Sequence, residues 1–239
     1  SDLKEKPFIH QYKLVPMGTE IGCVEFVPDC ESIQTFSWAQ VKDYTEHQKN
    51  ILFRSAAGSY VAGWVLGIRD RHQDNMMMKD GVTFFHIDMG HLFNERTTID
   101  APRFAIPPDM KLVLTPKEWD EFKEMCVDAF EVLHRNGGLL LNLCTTIFQG
   151  LTDMVKLRNF LASNQSLMLS LSEVEAAVRI RNLIESGITS FKRETKWAVH
   201  SMFANANAKP VSSPNLVANN SSSGQPSSSK LANSEKDNK

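Results

Sequence analysis

The hydrophobic and polar positions at the start of the chain predict a β-hairpin followed by a buried helix. Two short apolar runs, YKLVPMG and IGCVEFV, are bounded by glycine or proline, a pattern typical of paired strands. From about Tyr44 to Ile68, apolar and small residues recur at helical spacing, as at Leu52, Ala56, Tyr60 and Gly63. The small residues permit close packing, so we expect this helix inside the core.

A second hairpin is predicted where the runs NMMM and VTFFHID are separated by the triplet KDG at 79–81. Asp-Gly between two such runs is the strongest short-range signal for a hairpin. A turn at this dipeptide would place Asn75 opposite His86, with facing Cβ atoms about 5 Å apart. Gln73 would then lie opposite Asp88.

The second half of the chain carries helical patterns with clear start signals. Thr115 is followed by proline at the first helical position and by Glu118 at the third, and apolar residues then recur at helical spacing. Ser172 and Glu175 open another helix in the same way. A last amphipathic stretch covers about 189–203. We therefore predict an α+β fold, mostly helical around one functional hairpin.

Composition limits the class of protein. Residues 204–239 contain no aromatic residue and are rich in Ser and Asn, so we predict a disordered tail. Lys and Arg number 26 against 28 Asp and Glu, which leaves no overall field to attract nucleic acid. The four cysteines lack zinc-site spacing and are expected to be reduced thiols. Because no apolar run approaches roughly 20 residues, we expect a cytoplasmic protein recruited to membranes peripherally.

The segment from Gly67 to His91, GIRDRHQDNMMMKDGVTFFHIDMGH, carries the candidate chemistry. Phosphoryl transfer needs a group that handles the proton of the attacking hydroxyl, and oxygen ligands for magnesium. Asp70 and Asn75 have the spacing of the protein-kinase HRDxxxxN loop, and Asp88 has that of the DFG aspartate. Each of these residues alone is more often structural than catalytic. Their fixed offsets around one turn predict a shared site, in which Asn75 and Asp88 bind one metal ion.

The same segment resembles the phosphatidylinositol 3- and 4-kinase superfamily, and within it the phosphoinositide 3-kinases. FRSAAGSYVAGWVLGIRDRHQDNMM and FFHIDMGH match that family nearly residue for residue. The resemblance covers about Tyr12 to Phe203 and weakens between Gln149 and Ser190. It implies a protein-kinase-like C-terminal lobe at 29–203, preceded at 1–28 by the hinge strands of a truncated N-terminal lobe and followed by the tail at 204–239.

The resemblance also implies roles for individual residues. His72 would contact the lipid hydroxyl, with Asp70 as its partner or as a competing base, and His91 would lie near the transferred phosphoryl group. Asn75 and Asp88 would bind Mg²⁺ or Mn²⁺. The adenine ring of ATP would be held at Glu25, Val27, Met77 and Ile87.

Arg71 is expected to be structural, and two of its neighbours depart from the family pattern. Arg69 stands where the family has glycine, which would strain the loop or place a cation beside the phosphates. Met89 replaces a phenylalanine in a packing position, a change that conserves volume. The family's ATP-binding lysine lies well before the hinge, whereas 24 residues precede Glu25 here, so we expect the isolated chain to be inactive.

The implied substrate is a phosphatidylinositol lipid, phosphorylated on its 3-hydroxyl. The segment NERTTIDAPR stands where class I members carry a basic cluster, yet Arg96 and Arg103 are opposed there by Glu95 and Asp100. Because each phosphate on the inositol ring needs cationic partners, a loop without net charge predicts a preference for phosphatidylinositol or a monophosphate over the bisphosphate.

Several alternatives stay open. The chain could be a phosphatidylinositol 4-kinase, a related serine/threonine protein kinase or a non-catalytic binding module. The related protein kinases usually end in a short aromatic element, whereas this chain ends in a polar tail. This difference counts against the protein-kinase alternative. The expected partners are the membrane surface and a regulatory subunit. Basic residues of the last helix accompany Trp197, which indicates either a membrane contact or packing of Trp197 on the core.

Overall fold

The computed structural model describes residues 6–19, 21–95, 104–188 and 197–198. The tail predicted to be disordered lies outside the described residues, as do Arg96 and Arg103. So does the last predicted helix, except for Trp197 and Ala198. The described residues form an α+β fold in which two small antiparallel sheets accompany a larger body of helices.

Both predicted hairpins are confirmed. β1 (Leu14–Pro16) pairs antiparallel with β2 (Gly22–Val24). In the second sheet β4 (Met76–Lys79) pairs with β5 (Thr83–His86), and β3 (Cys30–Ser32) adds to the other edge of β4. The order β3-β4-β5 brings the segment after the first hairpin beside the second one. The sequence pattern did not predict this third strand.

The predicted register of the second hairpin was wrong by one residue. His86 faces Met76 rather than Asn75, and Lys79 faces Thr83. Asp80 and Gly81 both have positive φ, 51° and 71°, as an Asp-Gly turn requires. Val82 then stands as an extra residue between this turn and the ladder, and it shifts every facing pair by one.

Six α-helices have defined bounds in the described residues: α1 (Glu46–Leu66), α2 (Pro108–Val113), α3 (Pro116–Arg135), α4 (Gly137–Ile147), α5 (Met154–Ala162) and α6 (Glu173–Ile188). Two short 3-10 helices, Trp38–Asp43 and Gln73–Asn75, accompany them. The predicted start signals are confirmed. The Thr115 N–H donates to Glu118 Oε2 at 2.7 Å, and the Glu118 N–H donates to Thr115 Oγ1 at 3.3 Å. Ser172 and Glu175 make the same reciprocal pair before α6.

The core surrounds α1, which packs against α3 and β5. Leu52, Ala56 and Tyr60 of α1 are fully buried, as the helical spacing predicted. Near the end of α1 the ring of Trp64 stacks on Phe104 at 5.4 Å between centroids, and a buried hydrogen bond joins its indole N–H to the Ser166 carbonyl. The core therefore fixes the C-terminal end of α1, where the candidate site begins.

The four cysteines are free thiols, as expected, and Cys126 is fully buried in α3. Within the part of the chain that the structure describes, no helix has the length and apolarity needed to cross a membrane.

Candidate active site

Two loops meet at the C-terminal end of α1. The α1–β4 loop covers residues 67–75, and the metal loop, as we name it from its sequence motif, covers 87–95. Gly67 ends α1 with φ of 60°, and a Cβ there would lie 2.7 Å from the main-chain nitrogen of Asn94. The Arg69 N–H donates to the His91 carbonyl at 2.8 Å, and the Asn94 N–H donates to the Gly67 carbonyl at 2.9 Å. The two loops are thus joined through their main chains.

Arg71 holds both loops from inside. Its side chain is 2% exposed, and its guanidinium donates to main-chain carbonyls on each loop. On the α1–β4 loop the acceptors are Arg69, at 2.9 Å, and Asn75, at 3.2 Å. On the metal loop they are Ile87, at 2.8 Å, and Asp88. The predicted structural role of Arg71 is confirmed, because these hydrogen bonds set the relative position of the loops.

Asp70 and Asp88 both occupy the left-handed backbone region, with φ of 59° and 54°. Such conformations persist in non-glycine residues when the surrounding structure imposes them, and they are enriched at functional sites. Arg69, which we expected either to strain the loop or to place a cation beside the phosphates, is not among the described residues with positive φ. Arg69 therefore lacks the backbone strain of a left-handed residue. Its half-buried side chain leaves the other expectation, a guanidinium beside the phosphates.

The structure brings His72, Asp70 and Asn75 together. His72 Nε2 lies 3.9 Å from Asp70 Oδ2, and His72 is 8% exposed. Asn75 is 7% exposed and donates its side-chain N–H to the Asp70 carbonyl at 3.0 Å, which directs its amide oxygen away from that carbonyl. An imidazole beside a carboxylate can accept a proton and be stabilised in its charged form.

Asp88 and His91 lie on the metal loop. Asp88 is exposed, and one of its carboxylate oxygens accepts the Gly90 N–H at 3.2 Å. His91 is half-buried at the junction with Arg69. Ile87 donates its N–H to the Asn75 carbonyl at 3.1 Å, so Asn75 stands opposite Ile87 and one position from the predicted register. The two proposed metal ligands are nevertheless held on adjoining loops by Arg71.

A cleft of about 540 Å³ opens between the first hairpin and the second sheet. The four residues predicted to hold adenine all line it: Glu25, Val27, Met77 and Ile87. Glu25 follows β2, and its carboxylate accepts the Lys13 N–H at 2.7 Å, which holds the side chain against the first hairpin. Clefts of this volume and mostly apolar lining are typical of small-molecule sites.

Met89 also lines this cleft and is 36% exposed. The prediction of a packing position was therefore wrong. The left-handed conformation at Asp88 turns the next residue out of the line of β5, so its side chain faces the cleft instead of the core.

Sequence reasoning missed Tyr12 and Cys30, which line the same cleft. The Tyr12 hydroxyl donates to the His86 carbonyl at 3.4 Å. Burial raises the pKa of Tyr12, with Arg71 acting in the opposite direction and Asp88 in the same direction. Burial also raises the pKa of the Cys30 thiol. Tyr12 reaches the cleft from the chain before β1, and Cys30 reaches it from β3. No sequence motif marks either position as part of the cleft.

Trp197 contacts the α1–β4 loop. It packs against the core, and its indole N–H donates to the Arg71 carbonyl at 3.2 Å. This contact favours the packing interpretation of Trp197 over insertion of its ring into a membrane.

A second cavity, of about 580 Å³, runs along α6 from Leu171 to Ser186. It shares no residue with the two loops or with the cleft beside them. We therefore place the candidate site at the loops, where the titratable groups and the left-handed aspartates converge.

The oxygen atoms of Asn75 and Asp88 suit magnesium, which prefers carboxylate, amide and phosphate oxygens. The described residues contain no group of three or more His, Cys, Asp or Glu side chains able to hold a metal ion. Such a cluster is unnecessary for an ion that arrives with ATP, because phosphate and water oxygens complete its coordination.

The family model described as phosphatidylinositol 3- and 4-kinase matches residues 36–156, which include both loops and the second hairpin. The chain belongs to this family. The phosphatidylinositol 4-phosphate 3-kinase C2 domain-containing subunit alpha of Pongo abelii is 24% identical over 223 residues, covering 80% of this chain and 13% of the relative. Phosphatidylinositol 3-kinase VPS34 of Saccharomyces cerevisiae is 26% identical over 210 residues, covering 79% and 24%.

Phosphatidylinositol 3-kinase 1 of Dictyostelium discoideum is 31% identical over 160 residues, covering 62% of this chain and 10% of the relative. The chain thus spans about a quarter or less of the length of these members of the phosphatidylinositol 3- and 4-kinase family.

Proposed function

We propose that this chain supplies the catalytic and metal-binding loops of an ATP-dependent phosphatidylinositol 3-kinase. The observation that carries the proposal is the set of hydrogen bonds from Arg71 to both loops, which joins the loop that bears Asp70, His72 and Asn75 to the loop that bears Asp88. Membership of the kinase family supports lipid phosphorylation, and relatives named as 3-kinases favour the 3-hydroxyl over the 4-hydroxyl.

In this proposal residues 29–203 form the C-terminal lobe of a protein-kinase-like fold, and residues 1–28 contain its hinge. The cleft between the first hairpin and the second sheet receives the adenine ring. Main-chain groups at Glu25 and Val27 hold its edge, while Met77 and Ile87 contact its faces. This assignment is supported by the common position of these four residues along the cleft wall.

His72 and Asp70 handle the proton of the inositol hydroxyl. As the hydroxyl oxygen bonds to the γ-phosphorus, the bond from that phosphorus to the β–γ bridging oxygen breaks, and ADP leaves. The hydroxyl proton passes to His72, and the Asp70 carboxylate, 3.9 Å from Nε2, stabilises the resulting imidazolium. Asp70 itself is the competing acceptor of that proton. His91, on the metal loop, lies near the transferred phosphoryl group.

Asn75 and Asp88 are the residues that would hold magnesium or manganese. When bound, the ion would neutralise charge on the ATP phosphates. Within the chain, Arg71 keeps both ligands on fixed loops, and the Gly90 N–H orients the Asp88 carboxylate.

The lipid preference we propose is phosphatidylinositol or a monophosphate. It rests on the absence of net charge in the segment from Asn94 to Arg103, part of which lies outside the described residues. The names of two relatives, a phosphatidylinositol 3-kinase and a phosphatidylinositol 4-phosphate 3-kinase, agree with this preference. Turnover of the three lipids at matched surface density would test it, and a clear preference for the bisphosphate would contradict it.

The function is tested by single substitutions in a chain extended upstream through the ATP-binding lobe of its relatives. We expect Asp88→Ala and Asn75→Ala to abolish metal-dependent turnover, and His72→Ala to lower it on the order of 10²- to 10⁴-fold. His47→Ala, on the exposed first turn of α1, is the matched control and should leave turnover unchanged. Near-normal turnover by the Asp88 variant would overturn the proposal. The 239-residue chain alone is expected to transfer phosphate negligibly.

A further inference from the structure

Five large apolar side chains form an exposed surface along α4 and the start of α5. They are Leu139, Leu143, Ile147, Leu151 and Val155, with exposed fractions of 61%, 47%, 65%, 78% and 68%. The first three lie four residues apart on one face of α4, Leu151 follows in the connection to α5, and Val155 lies in the first turn of α5, which packs against α4. We call this set the α4–α5 surface. Contiguous exposed apolar patches mark sites of interaction.

The charge around this surface has one pattern. Residues 136–152 contain no Asp, Glu, Lys or Arg. At its α5 end, Lys156 and Arg158 are exposed, and the Lys156 ammonium lies 3.9 Å from the Asp153 carboxylate. Asp153 itself is engaged in capping α5, because it accepts the N–H groups of Val155 and Lys156. An uncharged apolar strip is therefore edged at its α5 end by two exposed cations and one carboxylate, that of Asp153.

The α4–α5 surface borders the metal loop. Phe148, which follows α4, meets Phe93 of that loop edge to face, with ring centroids 4.8 Å apart. Phe93 lies five residues after Asp88 in the same loop. A lipid headgroup that reaches the metal loop keeps its acyl chains in the bilayer, so a surface beside that loop is well placed to contact the bilayer.

We propose that the α4–α5 surface docks on an anionic bilayer. The apolar side chains enter the boundary between headgroups and acyl chains, and Lys156 and Arg158 face anionic headgroups, the arrangement expected of a protein segment lying at an interface. The inference rests on the proposed function, because the lipid substrate supplies the reason for bilayer contact at this edge. A symmetric second copy would also cover the apolar strip, but it would bring the cations of two copies into one interface.

The test is binding of the full 239-residue chain to vesicles of phosphatidylcholine, with and without phosphatidylserine, measured by co-sedimentation. We expect Val155→Ser to weaken binding to both vesicles on the order of fivefold to tenfold, because it removes inserted apolar surface. We expect Lys156→Gln to weaken binding about fivefold, and only when phosphatidylserine is present.

Each variant has a matched control on another part of the molecule. Val174 of α6 is 74% exposed, so Val174→Ser makes the same change at equal exposure. The Lys117 side chain is 88% exposed and lies 3.6 Å from Glu121, so Lys117→Gln matches Lys156→Gln, whose side chain is 86% exposed. Both controls should bind vesicles as the unchanged chain does.

Equal binding by Val155→Ser and Val174→Ser would overturn the inference. Sedimentation equilibrium without vesicles tests the alternative of a second copy. A dimer that Val155→Ser dissociates would overturn the inference and show that a second copy covers this surface. These readouts do not depend on turnover. If only the kinase proposal fails, the two variants should still bind vesicles more weakly than their controls. If only this inference fails, turnover by the extended chain should remain intact.

Discussion

Replacing Arg71 with lysine is expected to separate the two loops of the candidate site. The guanidinium donates to four main-chain carbonyls, two on each loop, at 2% side-chain exposure. A lysine ammonium is a single point charge and cannot reproduce the planar fork that spans both loops. Each lost hydrogen bond from a charged donor removes about 1.5–3 kcal/mol, and carbonyls left buried without a donor add their desolvation penalty.

Loss of the two hydrogen bonds to Ile87 and Asp88 alone therefore predicts a fall of about 3–6 kcal/mol in the free energy of unfolding. Because whole domains have about 5–15 kcal/mol, the variant should unfold at clearly lower urea concentration. Tryptophan fluorescence can follow the transition, since Trp64 and Trp119 are buried in the core. Hydrogen exchange should lose protection first at the Arg69 and Asn94 amides, which join the two loops.

Arg135→Lys is the matched control. The Arg135 side chain is 57% exposed and forms an ion pair with Glu173 at 3.1 Å, so its replacement by lysine should leave the free energy of unfolding nearly unchanged. If Arg71→Lys and Arg135→Lys unfold at the same urea concentration and the loop amides stay protected, then Arg71 does not hold the loops. Some other contact would then set the relative position of the two loops.

Two further substitutions test the helical body. The pKa of Glu118 is lowered to about 2, first by its hydrogen bond with Lys49 and then by its bonds with Thr115, so Glu118→Gln should cost about 1–2 kcal/mol at pH 7. That cost should fade in urea titrations as the pH falls from about 4.5 towards 2, and a pH-independent cost would contradict it. Gly187→Ala should destabilise by about 2 kcal/mol or more, because a Cβ would lie 2.2 Å from the Phe104 carbonyl. Gly138→Ala, with nothing within 4 Å, should instead be neutral or stabilising in the same assay.

The helices and hairpins could be predicted from the sequence because local signals specify them. Thr115 with Glu118, and the Asp-Gly pair at 80–81, satisfy main-chain groups within a few residues. The hairpin register could not be predicted from the same signals. It depends on whether Val82 joins the ladder or the turn, and the consecutive buried residues Phe84 and Phe85 give no alternation of apolar and polar positions that would decide it. β3 escaped prediction because its partner, β4, lies 44 or more residues away.

The candidate site shows the same division between local and long-range information. Motif spacing predicted which side chains belong to the two loops. It did not predict that Met89 faces the cleft, or that Tyr12 and Cys30 share its wall. Those positions depend on the left-handed turn at Asp88 and on strand pairing, neither of which leaves a periodic pattern in the sequence.

The spacing of the motif itself has a structural cause in Arg71. Its guanidinium reaches the carbonyls of Ile87 and Asp88 only if the second hairpin returns the chain at the correct length. In a β-ladder, a shift of one residue reverses the direction of every side chain and main-chain group. A hairpin longer or shorter by one residue would turn these carbonyls away from Arg71. The interval between Asp70 and Asp88 therefore reflects the reach of one buried arginine as well as the needs of phosphoryl transfer.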